Sequence, residues 1–92
     1  PEAESSTLEL KRELPKNDQI VKTIIGFSNQ SGGRLVIGVA DDGTVVGIPD
    51  TEAASAIEYL NQSIYTASTP PILPNVYTQT IDGKTLLIIE VS

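Results

Sequence analysis

The sequence contains no cysteine and no histidine. The first absence excludes disulfides and thiolate catalysis. The second excludes a histidine general base, and together they exclude a zinc site of the His/Cys kind. Any metal would be a hard ion held by oxygen ligands, such as Mg²⁺ or Mn²⁺. Aromatic residues are few, one phenylalanine and three tyrosines. None of them interleaves with the basic residues, so readout of bases by stacking is not expected. No apolar run approaches the ~18 residues that cross a bilayer, and no membrane partner is expected. Neither G-x-x-x-x-G-K-[ST] nor G-x-G-x-x-G occurs, so ATP use is not expected either.

What is present suits one small globular domain. The 92 residues are 39% hydrophobic and 20% charged, an ordinary soluble composition. At this length the buried fraction is modest. The net charge of −6 argues against a nucleic-acid binder that uses its whole surface. The bases are unevenly placed, however. Lys11, Arg12, Lys16 and Lys22 all fall in the first quarter of the chain. They can form a local basic patch, or a solvated face balanced by Glu9, Glu13 and Asp18. Because position 1 is Pro and not Met, we read residues 1–92 as a single domain taken from a longer protein.

Periodicity predicts the elements. In "TLELKREL", residues 7–14, apolar and polar positions alternate. This predicts a half-buried strand with Leu8, Leu10 and Leu14 on the core face and Glu9 and Lys11 on the other. Pro15 is expected to end it. "KNDQIVKTIIGFSNQSGG" predicts a helix, capped by Asn17 or Asp18 and stopped at Gly32-Gly33, with Ile20, Val21, Ile24, Ile25 and Phe27 inward. "RLVIGV" reads as a strand buried on both faces, and Asp42-Gly43 as a hairpin turn leading to another strand. A second helix is expected over about 51–66, capped by Asp50 or Thr51, with Ala56, Ile57, Leu60 and Ile64 on one side. "TPPILP" is an extended connector. A hairpin around Asp82-Gly83 closes the chain. Its last strand, 84–91, reads either as a central strand or as an edge that pairs with another copy. The order β-α-β-β-α-β-β describes a two-layer α+β domain with a mixed sheet and two helices.

Two local patterns bear on function. Glu9 and Lys11 are two apart on a strand and point the same way, the arrangement of E-x-K metal-dependent nucleases. Asp41 follows the "RLVIGV" strand, and Glu4 precedes the first strand. If those strands are neighbours, Glu4, Glu9 and Asp41 could converge on one metal. On spacing alone, the pair reads first as an exposed ion pair worth ~0–1 kcal/mol. Gly32-Gly33 before Arg34 could offer backbone N–H groups to a phosphate, or simply end a helix and pack closely.

The long run "ESSTLELKREL", then "IVKTIIGFSNQSGGRLVIGVADDGTVVGI", then "PPILP" and "GKTLLIIEV", resembles the Schlafen AlbA_2 family, earlier described as a divergent AAA domain. The likeness runs from Glu4 to Val91. It is most specific in F-S-N-x-S-G-G-R-L-V-I-G-V-x-D-x-G. The resemblance implies a nucleic-acid-binding domain, since the family is named for its likeness to the Alba chromatin protein. It also implies a place in prokaryotic, cytoplasmic transcriptional regulators or ATP-dependent DNA helicase-related proteins. Typical members run on past "IEV" into a Pro-rich segment. In animal Schlafen proteins the related domain cleaves tRNA and rRNA with a metal-bound cluster of acids. Glu4, Glu9, Lys11 and Asp41 match that pattern.

Three readings follow, in order of preference. The first is a DNA- or RNA-binding module, with Lys11, Arg12, Lys16, Lys22 and Arg34 against phosphates. The second is an endoribonuclease, with Mg²⁺ or Mn²⁺ on Glu4, Glu9 and Asp41 and with Lys11 stabilising charge. The third is an oligomerisation or ligand-sensing domain, with a homo-oligomer as partner.

Overall fold

Leu86, Leu87, Ile88 and Ile89 are consecutive and all buried. A strand sends successive side chains to opposite faces, so both faces of this one must be covered. The rest of the domain is arranged to do that. A computed structural model describes residues 7–67 and 72–92, without the side chains of 63–67. The elements are β1 (Thr7–Lys11), α1 (Asn17–Ser28), β2 (Gly33–Ile37), α2 (Asp50–Ala67), β3 (Asn75–Ile81) and β4 (Lys84–Val91). They form a four-stranded sheet in the order β1-β2-β4-β3. β1 runs parallel to β2, and β4 is antiparallel to both of its neighbours. The sheet is therefore mixed and the domain is α+β in two layers, as expected.

Both helices lie on one face. α1 packs on β2 and β4, α2 on β4 and β3, and the helices touch each other. Ile20, Val21, Ile24 and Phe27 recur at helical spacing and form the buried stripe of α1. They meet Ala53, Ala56 and Leu60 of α2 and Leu35, Ile37, Leu87, Ile89 and Val91 of the sheet. Ile64 of the expected α2 stripe lies outside the described side chains, and Thr69, Pro70 and Pro71 of the connector lie outside the described residues.

The last strand is central, with β2 on one side and β3 on the other. Three local expectations are corrected. The strand expected after Asp42-Gly43 is reduced to isolated bridges, Val39↔Val45 and Ile48↔Thr85. Here Gly38 O accepts from Val46 N and Gly47 N, which folds the segment back over Leu86 instead of extending it. The caps also differ. Lys16 holds the N-cap position of α1 with no side-chain bond, leaving Asp18 to favour the helix dipole from the first turn. Asp50 sits inside the first turn of α2, where Pro49 O accepts the first N–H groups, and its carboxylate accepts from Thr85 Oγ1. Lastly, only Gly43 of the first turn has positive φ; Asp42 caps Thr44 N from its side chain at 2.9 Å. The second turn does have both residues in the left-handed region, Asp82 at φ 53 and Gly83 at φ 75.

The glycine pair supplies the left-handed residue expected after α1: Gly32 has φ 98 and its N–H donates to Phe27 O at 3.0 Å. The helix stops at Ser28, and Asn29 caps it in a right-handed conformation. Gly33 already belongs to β2, and a Cβ there would overlap the Phe27 ring. A Cβ on Gly26, within α1, would meet nothing within 4 Å. The two glycines should therefore respond oppositely to the same change. Gly33→Ala should destabilise by ~1–3 kcal/mol through overpacking. Gly26→Ala should stabilise by ~0.5–1 kcal/mol through helix propensity. Urea unfolding of both variants checks the pair, and equal shifts of one sign would contradict it.

Candidate nucleic-acid interface

The β1-α1-β2 crossover puts the carboxyl ends of two parallel strands side by side. Open α/β sheets bind ligands at such strand ends. Here the end is closed by backbone hydrogen bonds. Lys11 O accepts from Gly38 N at 2.7 Å and Val39 N at 3.1 Å. A tight turn follows, with Ala40 N donating to Thr44 O and Gly43 N donating to Ala40 O, both at 2.9 Å. The turn holds Asp41 and Asp42 beside the end of β1. Leu10, Lys11, Arg12, Ala40, Asp41 and Asp42 line one open pocket of about 520 Å³. Two cations and two carboxylates, distant in sequence, thus share one exposed concavity.

The register of β1 decides which side chains reach it. Glu9 pairs with Leu35 and Lys11 with Ile37, whereas Leu8 pairs with Arg34 and Leu10 with Val36. Leu35 and Ile37 belong to the helix-covered core, so Glu9 and Lys11 point to the helix side of the sheet. Leu8 and Leu10 point to the open side, and Leu8 is 61% exposed. This reverses the expected facing of both sets. The reason is position: β1 is an edge strand beyond the cover of α1, so its helix-side residues stand at a wet margin. Thr7 marks the same side, its Oγ1 donating to Gln30 Oε1 just past α1. Of the three leucines, Leu14 does pack on the core, from the connector beyond β1.

The candidate residues separate accordingly. Lys11 Nζ lies 3.6 Å from Glu9 Oε2, and both side chains are substantially exposed. Lys11, Arg12 and Asp41 share the pocket. Glu4 lies outside the described residues. Among the described residues, no group of three acidic side chains could hold a metal ion. Lys16 and Lys22 are exposed on the α1 side and do not line the pocket. Arg34 sits on the open face, with Nε 3.1 Å from Glu90 Oε2.

Two features were not anticipated from sequence. Asp42 lies below the ordinary carboxylate range because Thr44 donates to it from its backbone and hydroxyl, with a smaller pull from Arg12. Glu90 is the acceptor of a cluster on the open face. Tyr77 Oη donates to its Oε2 at 2.8 Å, Asn75 Nδ2 to its Oε1 at 3.3 Å, and Arg34 completes it. Tyr77, first, then Asn75 and Arg34 hold Glu90 below its usual value. The same hydrogen bond raises Tyr77. Nothing along the chain announces this cluster. It exists because β3 and β2 flank β4 on opposite sides.

With this geometry in place, comparison with known proteins decides the family. The sequence profile described as Schlafen, AlbA_2 matches residues 4–92. The chain belongs to the Schlafen AlbA_2 family. No curated protein matches it. Among solved structures, it is similar to the DIP2311 protein of Corynebacterium diphtheriae, with a TM-score of 0.63 at 23% identity. The likeness covers 99% of this chain and 20% of that one, so this chain spans about a fifth of that protein's length. At that identity the comparison speaks to the fold. Among the described residues no helix is long and apolar enough to cross a membrane.

The Glu90 cluster makes a pH prediction. A carboxylate with a depressed folded-state pKa contributes stability above its unfolded value and loses it as pH falls through the folded value. A phenol with a raised pKa contributes below its unfolded value and loses it as pH rises through the folded one. Tyr77→Phe should therefore destabilise the domain at neutral pH. The gap to wild type should narrow as pH falls through the depressed titration of Glu90, and again as pH rises through the raised titration of Tyr77. Thermal melts across pH check this; a constant gap would show that Tyr77 acts through packing alone.

Proposed function

We propose that this AlbA_2 domain binds nucleic acid at the end of β1, with Lys11 and Arg12 contacting backbone phosphates. The observation that carries the reading is the shared pocket of Lys11, Arg12, Asp41 and Asp42 beside two parallel strand ends. Family membership supports the ligand class. Lys16, Lys22 and Arg34 take a lesser part in this reading, because they stand away from the pocket and Arg34 already has Glu90 as partner. DNA is the preferred ligand, in keeping with a cytoplasmic prokaryotic regulator or helicase-related protein that would carry the domain. With a net charge of −6, affinity should be weak and steeply salt-dependent.

A second reading is kept because Lys11 stands between two acids, pairing with Glu9 and sharing the pocket with Asp41. In this reading they would belong to a metal-dependent endoribonuclease site. Their oxygen donors suit Mg²⁺ or Mn²⁺ and no softer ion. The described residues alone do not complete a three-carboxylate set, so the reading requires Glu4 as well. A bound metal would stabilise charge on the scissile phosphate. Lys11 would hold its ammonium beside that charge.

Fluorescence anisotropy with labelled DNA and tRNA duplexes tests both readings. Lys11→Ala and Arg12→Ala should each weaken binding and lower the slope of log affinity against log salt by about one unit. Lys22→Ala should change the slope by less than either. Equal slopes for all three variants would sink the proposed site. In a cleavage assay with Mn²⁺, the nuclease reading expects activity that Glu9→Ala and Asp41→Ala each abolish. Binding without any cleavage leaves the first reading standing alone.

A further inference from the structure

We infer, resting on the nucleic-acid reading above, that the pocket at the end of β1 takes an unpaired nucleotide whose base carries an exocyclic amino group, and that Asp42 accepts a hydrogen bond from that amine. The pocket is amphoteric. Lys11 and Arg12 line it together with Asp41 and Asp42, beside the apolar side chains of Leu10 and Ala40. The cations alone would suit any phosphate backbone. The two carboxylates narrow the choice. A duplex presents closely spaced phosphates on its outside, and their charge would meet that of the acids. A lone nucleotide differs. It offers one phosphate and, at its other end, a base edge free of pairing partners. Cytosine, adenine and guanine donate from exocyclic amino groups, and ionised carboxylates only accept. Uracil and thymine present carbonyls in their place. The volume of about 520 Å³ lies within the ~300–1,000 Å³ of pockets that hold one small ligand.

Asp42 is the more firmly placed of the two acids. Its Oδ1 accepts from Thr44 N at 2.9 Å, which ties the carboxylate to the 40–44 turn. The turn is closed again by Ala40 N on Thr44 O and by Gly43 N on Ala40 O. A carboxylate has about four acceptor positions, so capacity remains beyond the bonds from Thr44. Those bonds also keep the group ionised, and therefore an acceptor, to lower pH than usual. An acceptor fixed to a closed turn on a sheet end is pre-organised for a directional contact. No aromatic side chain lines the pocket. Selection among bases would therefore come from hydrogen bonding and not from stacking.

Anisotropy with single-stranded oligo(dC) and oligo(dU), each about ten nucleotides long, tests the assignment. The two share a backbone and differ at the amino or carbonyl edge of the base. Mildly alkaline buffer keeps cytosine neutral. The native chain should bind oligo(dC) at least about fivefold more tightly than oligo(dU), and more tightly than a duplex of the same length. Asp42→Asn retains an Oδ1 that can accept from Thr44 N, and it replaces the remaining acceptor by an amide donor. The preference should then vanish or pass to oligo(dU), with an unchanged circular dichroism spectrum. If Asp42 acted through charge alone, Asp42→Asn would tighten both strands by the same factor and leave their ratio intact. That result would overturn the inference. So would equal binding of the two strands by the native chain, or a duplex that binds as tightly as oligo(dC). Where Lys11→Ala and Arg12→Ala still weaken binding in those cases, the phosphate site stands without base selection. If no strand or duplex binds, or if those two variants leave binding unchanged, the nucleic-acid reading itself fails and the inference falls with it.

Discussion

β4 hydrogen-bonds on both edges and is buried on both faces, and the other elements are placed by what it demands. β2 and β3 satisfy its backbone. α1 and α2 cover Leu87, Ile89 and Val91, and the chain at Gly38 lies against Leu86 on the other side. Buried backbone groups must be paired, so this strand can only be central. Once it is central, the crossover through α1 fixes β1 as the parallel outer neighbour of β2. The carboxyl ends of β1 and β2 then come together, and the turn bearing Asp41 and Asp42 has nowhere else to lie. The candidate interface follows from satisfying the hydrogen bonds of a strand that contributes nothing to it.

The edge position of β1 is equally consequential. Glu9 and Lys11 occupy the side of the sheet that elsewhere is core, yet they stay solvated because the helical layer stops short of them. Their neighbours in register, Leu35 and Ile37, are essentially dry. The transition from dry to wet takes place within one strand spacing, ~4.8 Å. A charged pair at such a margin keeps its hydration while standing on a rigid support, which suits a recognition surface.

Three of the cations already have carboxylate partners or neighbours. Glu9 faces Lys11, Asp42 stands near Arg12, and Glu90 holds Arg34. An incoming phosphate at the β1 end would therefore exchange one anionic partner for another. Such an exchange yields less affinity than docking on a bare basic patch. Salt screens the intramolecular pairs as well as the contacts to phosphate, so the two effects partly offset each other at these cations. The acidic balance of the chain and a nucleic-acid ligand are compatible on these terms. Specificity would then rest on where the exchange is geometrically allowed.

Much of the architecture was legible in the chain. Helical spacing from Ile20 to Phe27, the apolar run from Leu86 to Ile89, the Asp82-Gly83 turn and the α+β order were all readable, because each is a local pattern of period 3.6 or 2 or a local demand for positive φ. The proximity of Lys11 and Asp41 was anticipated from their family pattern. The facing of β1 was not. Alternation says that Leu8 and Glu9 point oppositely, but only the register against β2 says which of them points to the helices, and a one-residue slip inverts the answer. The Glu90 cluster escaped for the same reason. Side chains distant in sequence become neighbours through strand pairing, a non-local choice. The sequence by itself determined the two helices and the four strands of the sheet, but not that the segment after Asp42-Gly43 folds back without forming a fifth. The tertiary structure alone decided which strand is central, which face of β1 meets the helices and which strands stay at the edges, because those depend on the hydrogen-bond partners each strand finds.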